Sequence, residues 1–180
     1  MELTSGFSTT TYYDLLNNIK IAAKSVSDIC LKKAGIEEKQ KNVENNLPED
    51  ELTVSGDGTW SKRGFSCSIG VVTVIGKYSN KILDYFVSSK YCKVCDGMRT
   101  KLNAVDFEIW FESEHSEECS SNYEGSFGGM EVQGMKEIFK NSEKLHNAKY
   151  AYYIGDGDTK TFTNIVAEKP YGDFLIHKLE

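Results

Sequence analysis

Between residues 52 and 88 three β-patterned segments follow in quick succession: 52–57, 65–76 ("FSCSIGVVTVIG") and 81–88 ("KILDYFVS"). Tyr78, Ser79 and Asn80 form the turn between the second and the third. Connections this short return the chain antiparallel to itself, because a parallel partner needs a much longer crossover. Downstream the pattern changes. Residues 130–145 ("MEVQGMKEIFKNSEKL") carry apolar side chains at helical spacing. A strand at 149–155, a short helix at 159–168 and a last strand at 173–179 complete the order. A β-β-β run followed by α-β-α-β predicts a mixed sheet, antiparallel at first and then extended by right-handed crossovers.

The remaining stretches are assigned around that core. Leu15, Leu16, Ile19, Ala22, Ala23, Val26, Ile29 and Cys30 make residues 9–34 an amphipathic helix, with Gly35 as its stop. Residues 36–51, "IEEKQKNVENNLPEDE", are charged and turn-rich and read as an exposed linker. The division is therefore 1–51 for helix and linker and 52–180 for the core, interrupted by an insert at 89–129. At 180 residues the chain fits one well-buried domain. No stretch is apolar enough for a membrane span, and no signal-peptide pattern opens the chain, so a nuclear or cytoplasmic protein is expected. A net charge of −6 argues against an autonomous nucleic-acid binder, which ordinarily carries a basic surface.

In such a compartment cysteines stay reduced, and their spacing reads as metal chemistry before disulfides. "YCKVC" provides Cys92 and Cys95, and "HSEEC" provides His115 and Cys119. Two thiols separated by two residues grip one ion from a single turn, and a pair at i, i+4 shares a helix face. Three thiolates and an imidazole match tetrahedral Zn2+ with no open position, so the expected role is structural. The ion would replace the core that 89–129 lacks. Cys30 and Cys67 are read as small core residues, and His146 and His177 as packing or surface residues.

Two apolar runs end on aspartate beside glycine: "LTVSGDGTW" at Asp57 and "YIGDGDTKTF" at Asp156 and Asp158. With strand 149–155 laid parallel beside 52–57, both carboxylates fall at carboxyl ends of neighbouring strands, where open α/β sheets place ligands. Strands lie ~4.8 Å apart, so such carboxylates can share Mg2+ or Mn2+ in two-metal phosphoryl transfer.

The strand order, "SGDGTWSKRGFSCSIGVVTVI", "SKYCKVC", "YEGSFGGMEVQGMKEIF" and "YYIGDGDTKTFTNIV…PYG" together resemble the Mutator-like transposases, over about residues 5–180. That resemblance implies a ribonuclease H-like fold and DDE chemistry, in which metal-bound carboxylates activate water and then a DNA 3′ hydroxyl. Asp57 takes the place of the first carboxylate and Asp156 of the second, with Asp158 beside it. The third is Glu131, in the Met-Glu context of ribonuclease H, or a residue beyond Glu180. Lys62 and Arg63 are candidate phosphate contacts. DNA, as transposon ends, is the implied partner, bound largely by segments outside these residues, and self-association stays open. The isolated chain is expected to cut DNA little or not at all. A non-enzymatic zinc-stabilised association domain and a small ribonuclease H-like nuclease are the alternatives.

Overall fold

The computed structural model describes residues 8–60, 68–155 and 159–179. Helix α1 spans Thr9–Glu44, entered through Ser8, whose hydroxyl accepts the Thr11 N–H at 3.2 Å. The helix runs straight through Gly35, and most of the expected linker belongs to it. The reason lies in two polar side chains that are fully buried. Glu38 accepts the Tyr78 N–H at 3.0 Å and the Ser79 N–H at 2.6 Å. Asn42 donates through Nδ2 to the carbonyls of Pro48 and Glu51, both at 2.8 Å. Charged and amide residues that suggest a solvated connector here satisfy backbone groups of the neighbouring turns, which stabilises the last turns of the helix. Gly35 is a point of close approach. A methyl group there would overlap the imidazole of His146.

Strands β1 (Glu51–Trp60), β2 (Ile69–Gly76) and β3 (Ile82–Ser89) form the expected antiparallel run. The chain then passes through the insert, which contains α2 (Lys93–Arg99), α3 (Ala104–Trp110), one π-helical turn at Phe111–His115 and a 3-10 turn at Ser116–Glu118. The insert is therefore more regular than its sequence pattern suggests. Helix α4 (Phe127–His146) starts three residues before the expected position, leads into β4 (Lys149–Ile154) and is followed by α5 (Thr159–Glu168) and β5 (His177–Leu179). Among the described residues the sheet order is β3-β2-β1-β4-β5, with β4 parallel to both β1 and β5.

The core lies between α4 and one face of this sheet. Leu52 and Val54 of β1, Val72 and Val74 of β2, Met135, Ile138 and Phe139 of α4, and Tyr150 and Tyr153 of β4 form one buried cluster. Phe139 sits edge-on to Tyr150, with ring centroids 5.3 Å apart. Strict alternation along β2, with Gly70, Val72, Val74 and Gly76 buried, shows which face α4 covers.

The N-terminal part of α1 departs from expectation. Its apolar residues up to Ile29 are exposed, and Cys30 is exposed rather than part of the core. Leu31 and Ala34 are the first side chains of the helix to be buried. Cys67 lies outside the described residues. His146 is buried, with Nε2 2.8 Å from the Leu83 carbonyl oxygen, while His177 stacks on Tyr152 at the surface.

Candidate functional site

Two clusters of chemistry-bearing side chains emerge from this framework. The first is the insert's thiol–imidazole group. Cys92 is the N-cap of α2 and Cys95 lies in its first turn, while His115 closes the π-helical turn and Cys119 follows the 3-10 turn. The chain between them folds back so that ligand atoms of all four residues lie within 4.8 Å of one another. Cys92 Sγ is 3.2 Å from His115 Nε2, and Cys95 Sγ is 3.6 Å from Cys119 Sγ. Tetrahedral zinc with ordinary bond lengths would separate two sulfurs by about 3.8 Å. The cluster thus has the composition and dimensions to hold a metal ion such as zinc.

Packing fixes the imidazole. Trp110 stacks on the His115 ring with centroids 4.9 Å apart and planes 15° from parallel, and Phe111 meets it edge-on. Burial and the neighbouring sulfurs of Cys119 and Cys92 push the Cys95 thiol up to about 12. Burial also acts against the Cys92 thiolate, but the N–H groups of Cys95 and Ser120, the Ser120 hydroxyl and His115 outweigh it and bring that thiol down to about 5. A bound cation would favour ionisation of the Cys95 thiol beside Cys92.

The second cluster lies on β1. Among the described residues, β1 pairs with β4 as far as Ser55 and Ile154, while it pairs with β2 as far as Trp60. Asp57 lies two residues past the last of these β4 pairs and is exposed. Its carboxylate oxygen Oδ1 accepts the N–H of the next residue, Gly58, at 2.8 Å. From α4, the Glu131 carboxylate comes to the same residue: a Cβ built on Gly58 would lie 3.3 Å from Glu131 Oε2. Because α4 begins at Phe127, Glu131 occupies its second turn rather than its first. Asp57 pairs with Thr73 and Gly58 with Val72, so Glu131 approaches β1 on the α4 face at Gly58, while the Asp57 side chain starts from the opposite face one residue earlier. Asp156 and Asp158 lie outside the described residues, as do Lys62 and Arg63. Gly155, the last described residue before the two aspartates, directly follows β4.

Sequence reasoning missed the aromatic support of the metal cluster. Trp110 and Phe111 lie at i−5 and i−4 from His115, a spacing that becomes informative only once the helix acquires its π turn.

A mixed α/β protein with a possible Cys/His metal cluster in the insert after β3 is the class defined by these features. The model of the Mutator-like transposase family matches residues 3–180, and the chain belongs to that family. No curated protein and no solved structure matches it. Among the described residues, no helix is long and apolar enough to cross a membrane.

Proposed function

We propose that this chain is the catalytic core of a DNA transposase with a ribonuclease H-like fold, transferring phosphoryl groups through divalent cations. Asp57 is the first metal ligand, Asp156 the second and Glu131 the third, with Asp158 able to assist. The position of Asp57 just past the last β1–β4 pair, one residue before the point that Glu131 approaches from α4, carries this reading. Family membership and the parallel β1–β4 pair support it. Carboxylates select Mg2+ or Mn2+, whose charge would activate an attacking oxygen and stabilise the leaving one. DNA is the substrate, in keeping with the family.

Zn2+ held by Cys92, Cys95, His115 and Cys119 is structural in this account. All four positions of a tetrahedral ion would be occupied by protein, leaving none for a water or a phosphate. The insert and the carboxylate cleft therefore serve separate purposes.

Mn2+ binding tests the cleft. Electron paramagnetic resonance of the zinc-loaded chain should show bound Mn2+. Asp57→Ala and Glu131→Gln should each weaken binding by roughly tenfold or more, the scale of losing one charged ligand. Equal Mn2+ affinity in wild type and Asp57→Ala would refute the assignment.

A further inference from the structure

The exposed part of α1 has a pattern that the carboxylate and metal sites do not use. Tyr12, Leu16, Ile19, Ala23, Val26 and Cys30 recur at alternating spacings of four and three, the period of a supercoiled helix pair. All six are exposed. Tyr12 is 51 % accessible, Leu16 43 %, Ile19 64 % and Val26 60 %. Leu15, Ala22 and Ile29 widen the same stripe on one flank. A helical arm without tertiary packing is only marginally stable in water, so a seam of this kind calls for a second helix.

Side-chain size identifies that helix. The N-terminal half of the seam is large (Tyr12, Leu16, Ile19) and the C-terminal half is small (Ala23, Val26, Cys30). Parallel self-pairing would face tyrosine with tyrosine at one end and alanine with alanine further along, leaving a wedge-shaped gap. Antiparallel self-pairing opposes Tyr12 to Cys30, Leu16 to Val26 and Ile19 to Ala23. Every layer then combines one large and one smaller side chain, which keeps the axes evenly spaced. The same register brings flanking Leu15 near Ile29.

The foot of the arm fits this register. Cys30, Leu31, Ala34, Ile82 and Tyr85 line a largely apolar hollow of about 340 Å³ between α1 and β3. Opposed to Cys30, Tyr12 of a second copy reaches its rim. From Tyr12 to Cys30 the arm carries no net charge, with Asp14 and Asp28 against Lys20 and Lys24.

We infer that α1 is a homodimerisation arm, pairing antiparallel with α1 of a second copy and seating each Tyr12 at the hollow at the foot of the other arm. The inference is independent of the metal assignments. Sedimentation equilibrium on the full chain should show a concentration-dependent dimer. Ile19→Glu should raise its dissociation constant by roughly thirtyfold or more, as expected for a central apolar anchor. Ile36→Glu, an exposed substitution off the seam, should leave the dimer intact. Mild oxidation of a Tyr12→Cys variant should link the introduced thiol to Cys30 of the second copy, a readout that does not depend on mutational destabilisation. A monomer at all concentrations, a dimer insensitive to Ile19→Glu, or links joining like positions would each overturn the inference.

Discussion

Single contacts decide how α1 is fixed to the rest of the molecule, and Gly35 is the most informative. In an exposed helix interior, glycine to alanine stabilises by about 1 kcal/mol, because alanine loses less backbone entropy. Here the added methyl would strike His146, which is itself held by its approach to the Leu83 carbonyl. Gly35→Ala should therefore destabilise the protein by about 1–3 kcal/mol, the usual cost of overpacking. Urea denaturation gives the sign directly, and a stabilised variant would show that the imidazole can move aside. This residue also illustrates what the sequence conceals. A glycine after an apolar helical stretch looks like a terminator, and only the position of His146, far along the chain, makes it an interior packing site. Glu38 misleads for the same reason, since its partners are backbone N–H groups some forty residues along the chain, and Asn42 likewise turns inward, to the carbonyls of Pro48 and Glu51.

At the scale of elements, α4 and α5 are clamped by Glu168, which lies 2.9 Å from Lys136 Nζ and 2.7 Å from Lys140 Nζ. Hydrogen bonds from Lys140 and Lys136 hold its carboxyl down at about 2, against an ordinary value of 4.5. A depressed acid binds protons more readily in the unfolded chain, so the clamp contributes fully above about 4.5 and is lost as pH falls towards about 2. Glu168→Gln should flatten the acid limb of the stability profile across that window, measured by chemical denaturation at successive pH values. An unchanged profile would remove the clamp from the account. The insert behaves differently, because its short helices have few buried residues of their own. One zinc per chain is expected by elemental analysis. Cys95→Ser should expose residues 89–129 to protease while leaving the sheet folded. Metal-free protein with equal protease resistance would contradict this. The four ligands were legible in the sequence because metal-type spacing is local. The helical segment carrying His115 was not, since packing of Trp110 and Phe111 on His115, with Phe107 against both aromatics, stabilises it instead of a regular apolar stripe.

For the whole molecule, strand order was legible because short connections leave few topologies open, and the parallel β1–β4 pair follows from the crossover through α4. The fate of the α1 stripe was not. Periodicity marks an apolar helix face but not whether its partner belongs to the same chain. The proposed function puts the catalytic centre at the end of the β1–β4 pairing, by Asp57. Diffraction from crystals of the zinc-loaded chain grown with Mn2+ tests that claim most directly. Anomalous scattering recorded near the manganese edge should place Mn2+ in contact with the carboxylates of Asp57 and Glu131, beside Gly58, with Asp156 completing the site. Manganese found only elsewhere, or absent while both carboxylates remain ordered, would contradict it.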